Sequence, residues 1–272
     1  MTTANDHVLA RDLADQAGRR LLELRAGGGE PDLLRRAGDR MSHEFLAAEL
    51  AACRPGDMVL SEEAADDKAR LTADRVWIVD PLDGTREFGE PGRTDWAVHV
   101  ALWERAADGG LTAGAVALPA QGQVLSTCAE VPTQEKGQVL SVGAEGPSRQ
   151  NDQRPPDRRV RIVVSRSRAP RFVLDISDLI DAELVPLGSA GAKVAAVVSG
   201  EADAYVHGGG FYEWDTAAPV AVARAAGIHA SRIDGSPLLY NQVDLLLPDI
   251  LVCRPALAGT LLQAIREVTN AC

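Results

Sequence analysis

Apolar residues recur along this chain with two periods, one near four and one near two. After Asn5 and Asp6, either able to cap a helix, Leu9, Leu13, Ala17 and Leu21 return every fourth residue. That stripe predicts a helix ending near Arg25, ahead of the Gly27-Gly28-Gly29 run. Met41, Phe45, Leu46 and Leu50 form a second stripe, predicting a helix from about Asp39 to the Arg54-Pro55-Gly56 turn. Residues 58–60 read as a short strand running into Ser61-Glu62-Glu63. Trp77-Ile78-Val79 reads as a buried strand that stops at Asp80-Pro81-Leu82-Asp83-Gly84-Thr85. Further strands are expected over 96–103, 113–118 and 123–128, with a turn at Pro119-Ala120-Gln121-Gly122 between the last two.

From about Glu130 to Arg159 the pattern dissolves into Gly, Pro, Gln, Ser and charge. This reads as a mobile connection between two lobes, 1–150 and 151–272, with a short strand over 139–142. The second half alternates regularly. Strands over 160–165, 183–187 and 204–207 are followed by helices over 172–180, 191–199 and 215–226. Two more strands, near 228–232 and 250–253, precede a last helix over 255–268. Such βα alternation predicts an α/β fold with helices covering a sheet.

Composition narrows the partners. Hydrophobic residues are 46% and charged residues 25% of 272, as in soluble globular proteins, while aromatics at 4% leave packing to aliphatic side chains. A net charge of −11 argues against nucleic acid or anionic lipid as a partner, and requires local cations for any phosphorylated ligand. No run approaches the roughly 18 apolar residues of a membrane span, and the polar start lacks a signal-peptide core. Cys53, Cys128, Cys253 and Cys272 are scattered without a C-x-x-C pair, as expected of free thiols in a reducing cytoplasm. The expectation is a soluble cytoplasmic protein.

The chemistry gathers at the acids. Asp80 and Asp83 close a buried strand, where a carboxylate is costly unless something neutralises it. Gly84 leaves room for a ligand at the main chain, and Thr85 offers a hydroxyl and an N–H where a helical turn begins. Taken singly, Asp39 and Asp215 read as helix N-caps, and Glu62-Glu63 as a solvated strand end. An Asp-Gly turn explains Asp83-Gly84 but not Asp80. If these acids converge, two like charges about 4 Å apart repel by roughly 4 kcal/mol at an effective dielectric of 20, so cations are needed. Oxygen-only donors select Mg²⁺ or Mn²⁺ over zinc, and a pair of such ions suits phosphate-ester hydrolysis. His7, His43, His99, His207 and His229 show no ligand spacing and read as core or surface residues. No P-loop, dinucleotide fingerprint or G-x-S-x-G elbow is present.

Asp80-Pro81-Leu82-Asp83-Gly84-Thr85 resembles the first signature of the inositol monophosphatase superfamily, and Glu213-Trp214-Asp215-Thr216-Ala217-Ala218-Pro219 resembles the second. Ser61-Glu62-Glu63 matches the upstream acidic pair, and Gly188-Ser189-Ala190-Gly191-Ala192-Lys193 the serine-lysine segment. Arg86-Glu87-Phe88 is similar to the CysQ branch, the 3′-phosphoadenosine 5′-phosphate phosphatases, in its actinobacterial form. The resemblance implies a layered αβαβα fold of two lobes with the metal site between them. It implies two Mg²⁺, replaceable by Mn²⁺: one on Glu62, Asp80 and the Leu82 carbonyl, the other on Asp80, Asp83 and Asp215. Gly84 and Thr85 N–H groups would receive the phosphate, and Thr85 with Glu62 would orient and deprotonate water. Asp39 would complete a third metal position. Arg86 would meet a second phosphate, Glu213 a sugar or polyol, and Ser165, Arg166, Ser189 and Lys193 the nucleotide.

Two stretches depart from that pattern. Pro31-Asp32-Leu33-Leu34-Arg35-Arg36-Ala37-Gly38 replaces a Lys-x-Asp-x-Ser-Pro-Val-Thr segment common in relatives, and Gly-Ser-Ser-Leu-Lys is altered at Gly188 to Lys193. The activity implied is hydrolysis of 3′-phosphoadenosine 5′-phosphate, and of its phosphosulfate relative, within sulfate assimilation and with sensitivity to Li⁺. Hydrolysis of inositol-1-phosphate or fructose-1,6-bisphosphate is the near alternative, and a metal- and phospholigand-binding sensor the alternative from another class. The family's habit of dimerising makes a homodimer the expected assembly.

Overall fold

In the computed structural model, residues 6–127, 138–141, 158–167 and 169–270 are described. Two helices lead, α1 (Asp6–Ala26) and α2 (Pro31–Cys53), followed by β1 (Met58–Ser61), β2 (Arg75–Asp83) and a short α3 (Thr85–Gly89). Strands β3 (Ala97–Glu104), β4 (Gly110–Leu118), β5 (Gln123–Ser126) and β6 (Gln138–Ser141) complete a six-stranded sheet in the order β1-β2-β3-β4-β5-β6. The second half runs β7 (Arg161–Ser165), α4 (Arg171–Leu179), β8 (Glu183–Leu187), α5 (Ala190–Val198), β9 (Ala204–His207), β10 (Phe211–Tyr212) and α6 (Glu213–Ala225). It closes with β11 (His229–Ser231), β12 (Leu246–Leu247), β13 (Ile250–Cys253) and α7 (Pro255–Asn270). Its main sheet has the order β11-β13-β9-β7-β8, and β10 pairs separately with β12.

The layering follows from how each strand divides its side chains. Trp77 and Val79 of β2 pack with Leu13, Leu21 and Leu46 of α1 and α2, whereas Val76 and Ile78 face Ala217, Ala218 and Val194 of α6 and α5. On β13, Ile250 and Val252 join that same central cluster, while Leu251 and Cys253 meet Val173 and Leu261 of α4 and α7. Helix, sheet, helix, sheet, helix is the result, as the resemblance implied. Helices α5 and α6 are therefore buried between two sheets, which explains their nearly continuous Ala and Val content.

Two helices begin earlier than their patterns predicted. The start of α2 is Pro31, with Glu30 as cap: its carboxylate accepts the Leu33 N–H at 3.0 Å. Proline fits a first helical position because its missing N–H would be unpaired there anyway. Asp39 is thus mid-helix and caps nothing. Likewise α6 starts at Glu213, so Asp215 lies in its first turn rather than at the cap, and its carboxylate accepts the Tyr212 N–H. Of the connection expected over 130–159, only β6 and residues 158–159 fall within the described residues; Cys128, Val142, Arg168 and Cys272 lie outside them. Cys53 and Cys253 are free thiols, and no helix among the described residues is long and apolar enough to cross a membrane.

Candidate active site

A break in strand pairing makes the site. Asp80 pairs with His99 and Asp83 with Ala97, so β2 spends one residue more than β3 between those two rungs. Pro81 has no N–H to give the ladder, and the extra residue becomes a bulge. On a regular strand, residues three apart face opposite sides of the sheet. The bulge lets Asp80 and Asp83 face the same side, toward α5 and α6. Gly84 then turns the chain with φ of +84°, and a side chain there would press on the Asp95 carbonyl and Ser189 at 3.2 Å.

Carboxylate oxygens of Asp80, Asp83 and Asp215 lie within 4.8 Å of one another, the one such group among the described residues. Their surroundings differ sharply. Asp80 is 1% exposed; its Oδ1 accepts the Leu82 N–H at 3.0 Å, and its Oδ2 is buried with no partner. Burial, then the charges of Asp83, Glu62 and Asp215, push its carboxyl well above the usual range. Asp83 is also buried, but its Oδ2 accepts the Ser189 hydroxyl at 2.5 Å and the Gly191 N–H at 2.7 Å. His99 Nε2 approaches the same oxygen at 3.1 Å, an ion-pair contact outside hydrogen-bond alignment. Burial would raise Asp83, yet these partners outweigh it and bring its carboxyl down to about 2. Asp215 goes up to about 6, through burial and the nearby Asp83 charge.

The other predicted acids stand around this floor. Glu62 follows β1 directly and is exposed as a residue, but partial desolvation and the charges of Asp215 and Asp83 push its carboxyl up to about 7. Its oxygens do not join the three-acid group. Asp39 reaches Thr85 Oγ1 at 3.3 Å, and burial followed by the Glu63 charge pushes its carboxyl up to about 6. That approach depends on Gly38, where a side chain would meet Phe88 and Leu82 at about 3.0 Å or less. The Thr85 hydroxyl also lies 3.0 Å from the Leu82 carbonyl. An all-oxygen donor set, an orphaned Asp80 oxygen and three converging carboxylates fit a hard divalent cation.

Two hollows share Ser165, Ser189 and Lys193, and Asp83 and Asp215 also line the larger. The larger, about 550 Å³, is walled by Phe172, Tyr205, His207 and Phe211, with Gly208 to Gly210 along its edge. The smaller, about 280 Å³, runs past Gly84, Thr85, Arg86 and Arg166. Lys193 lies where they join, its ammonium buried, 3.0 Å from the Ser189 carbonyl and 5.4 Å above the Tyr205 ring; burial lowers its pKa. Arg86 is exposed and pairs with Glu90 at 3.1 Å. Arg166 is half-buried and tied back to the protein, 2.9 Å from both Glu87 and Glu90.

Glu213 is in neither hollow. Its two carboxylate oxygens accept the Asn241 and Gln242 N–H groups at 2.6 and 2.7 Å, so the structure turns it to a loop rather than toward a sugar-binding surface. The sequence reading also missed His99 and the aromatic wall. A lone polar residue in the apolar stretch 97–102 was the available signal for His99, whose other nitrogen lies 3.2 Å from the Trp214 carbonyl. Phe172 and Phe211 are two of only four phenylalanines, too sparse to make a pattern.

The chain is similar to known proteins over most of its length. A 3′-phosphoadenosine 5′-phosphate phosphatase of Mycobacterium leprae is 50% identical over 271 residues, covering 97% of this chain and 94% of its own. The 3′(2′),5′-bisphosphate nucleotidase CysQ of Escherichia coli is 30% identical over 84% of this chain and 91% of its own. Among solved structures, CysQ from Bacteroides thetaiotaomicron superposes with a TM-score of 0.72 at 30% identity, over 92% of this chain and 97% of that one. Inositol monophosphatase II of Staphylococcus aureus, at 21% identity and a TM-score of 0.75, shares the fold over 96% of both chains. Residues 8–270 match the inositol monophosphatase family, and with the bulged acid turn, the α6 aspartate and the five layers all present, the chain belongs to that family.

Proposed function

We propose that this protein is a cytoplasmic, Mg²⁺-dependent phosphomonoesterase that removes the 3′-phosphate of 3′-phosphoadenosine 5′-phosphate, yielding AMP and phosphate. The observation that carries it is the three-acid floor opening onto an aromatic-walled hollow of about 550 Å³. An inositol ring has no flat apolar face to offer Phe172, His207 and Phe211, whereas an adenine base stacks on such rings. Relatives named for that substrate at 50% identity support the same choice.

Asp80, Asp83 and Asp215 would hold Mg²⁺, with Glu62 and the Leu82 carbonyl completing two positions and Asp39 a third. When bound, Mg²⁺ supplies the positive charge that lets buried carboxylates stay ionised and that polarises a phosphate ester. The chain's own groups do the rest. Glu62, which directly follows β1 and stands near Asp215 and Asp83, is the base placed to take a proton from water. Thr85 orients that water, and Gly84 and Thr85 N–H groups receive the phosphate. The water oxygen adds to phosphorus, the bond to the ribose 3′ oxygen breaks, and the proton that Glu62 took is returned through solvent to that leaving oxygen. Lys193, one hydrogen bond spent on Ser189, keeps donors for the nucleotide.

Initial rates on 3′-phosphoadenosine 5′-phosphate, inositol-1-phosphate and fructose-1,6-bisphosphate, measured side by side with Mg²⁺ and with a chelator, test this. Turnover should be fastest on the nucleotide and vanish with chelator. A preference for inositol-1-phosphate overturns the substrate, and tight binding without turnover of any of the three overturns the enzyme.

A further inference from the structure

Away from the floor, one guanidinium is buried completely. Arg70, in the turn Lys68–Leu71, has a side chain only 1% exposed. Its Nε and Nη2 donate to Asp66 at 2.6 and 3.1 Å, its Nη1 to Asn241 Oδ1 at 2.6 Å, and its Nη2 to the Gln242 carbonyl at 2.8 Å. The Asn241 amide donates back to the Arg70 carbonyl at 3.2 Å. Asn241 and Gln242 give their backbone N–H groups to Glu213. Lys68 strengthens the junction, pairing with Asp66 at 2.6 Å and the Val243 carbonyl at 3.0 Å.

The ends of this chain of bonds are what matter. Asp66 lies four residues beyond Glu62, and Glu213 two residues before Asp215. Glu62 hangs from β1, the edge strand of the six-stranded sheet, while Asp215 rides on α6 in the layer beneath. Hydrophobic packing could hold β1 and α6 together, but it is not directional and tolerates sliding. Replacing a buried ionic cluster with apolar residues is often neutral or stabilising, so stability alone gives little reason to bury Arg70. A network of directional bonds gives a reason: it admits one spacing.

We propose that Asp66, Arg70, Asn241 and Glu213 form a positioning network that fixes the approach of Glu62 to Asp215 and thereby sets the affinity of the acid floor for a divalent cation. This rests on the reading of that floor as the Mg²⁺ site. Glu213 is then a positioning residue, touching the ligand only through the geometry it imposes on Asp215.

Two variants of the full chain test it. Arg70→Met removes the hub. Asn241→Gly keeps the left-handed backbone (φ of +60°) and the N–H to Glu213, and deletes only the amide that reaches Arg70. Mg²⁺ binding is titrated calorimetrically with the metal alone, and Tm without Mg²⁺, KM and kcat at saturating Mg²⁺ are measured beside it. The Kd for Mg²⁺ should weaken by about tenfold in both variants, the scale seen when partners behind metal ligands are removed, with KM for the nucleotide unchanged. A lower Tm with unchanged Mg²⁺ affinity overturns the proposal, since the network would then serve folding alone. A raised KM with unchanged Mg²⁺ affinity overturns it in favour of direct substrate contact. Absence of Mg²⁺ binding by the unaltered protein overturns the metal reading and this inference with it. If Arg70→Met does not fold, Asn241→Gly decides.

Discussion

Two buried acidic clusters share the first turn of α6, and they are built on opposite principles. Around Glu213 each charge is answered: two N–H groups meet its oxygens, and Arg70 bridges Asp66 to the same loop. On the floor two residues further along, Asp215 is pushed up to about 6, Asp80 is held well above the usual carboxylate range, and an Asp80 oxygen is buried without a partner among the described residues. Burial alone does not separate them, because it also pushes Glu213 up to about 7. What separates them is whether the protein supplies its own donors. A cluster that does is structural; one that leaves an oxygen orphaned is waiting for a cation.

The sharpest version of that contrast lies within one turn. Asp80 lacks compensation and Asp83 has three partners, so the same substitution should move stability in opposite directions. Asp80→Asn and Asp83→Asn are both expected to cut turnover by about 10³-fold or more, the scale of losing one member of a catalytic unit. Without Mg²⁺ at neutral pH, Asp80→Asn should raise Tm, because it removes a buried carboxyl whose ionisation nothing in the protein compensates. Asp83→Asn should lower it by about 1–3 kcal/mol equivalent, because the Ser189 and Gly191 donors then meet a neutral amide instead of the carboxylate they stabilise. Thermal unfolding of the two metal-free variants checks this, and shifts of the same sign would break the comparison.

How far the sequence disclosed these clusters follows from the range of their contacts. The strands over 204–207 and 250–253 were read to the residue, because a buried strand bounded by polar turns is a local signal. The acids Asp80, Asp83 and Asp215 stood out because carboxylates beside apolar runs are unusual. Their convergence was legible only through the family resemblance; the local pattern does not carry it, since it depends on a bulge that only pairing with β3 reveals. Nor was the start of α2, where a Glu cap is a weak signal and Gly38 argues against a helix until Phe88 is seen against it. Arg70 and Asn241 are separated by 171 residues, and nothing local marks either as half of a pair.

Proton competition extends the contrast to solution conditions. A carboxyl held high in the folded protein binds its proton more tightly there than in the unfolded chain. Its cost to stability is therefore absent below the unfolded pKa and grows as pH rises through the folded one, about 6 for Asp215. On the proposed reading, Mg²⁺ would relieve that cost but would have to displace the protons to bind. Mg²⁺ at a hundredfold excess over Kd should stabilise the protein by about 2.7 kcal/mol at about pH 8, or roughly 5–10 °C in Tm. At about pH 5 the gain should largely disappear, because Asp215 and Asp80 keep their protons. An equal gain at both pH values would mean that Mg²⁺ binds elsewhere.

The smallest effect belongs to a charge outside both clusters. Arg86 has a side chain 59% exposed, and among the described residues its ion pair is with Glu90, a helical turn away. Exposed pairs of this kind contribute little to folding, so Arg86→Ala should leave Tm where it is. Its guanidinium nevertheless borders the smaller hollow, which is where a second phosphate would reach if the first is at Gly84 and Thr85. KM for 3′-phosphoadenosine 5′-phosphate should rise by about three- to tenfold, the scale of one solvent-screened charge contact, while kcat changes little. Because the contact is exposed, the difference between variant and unaltered protein should shrink as salt is added. A loss that persists at high salt would show Arg86 gripping a desolvated phosphate, and would bring it inside the site rather than at its border.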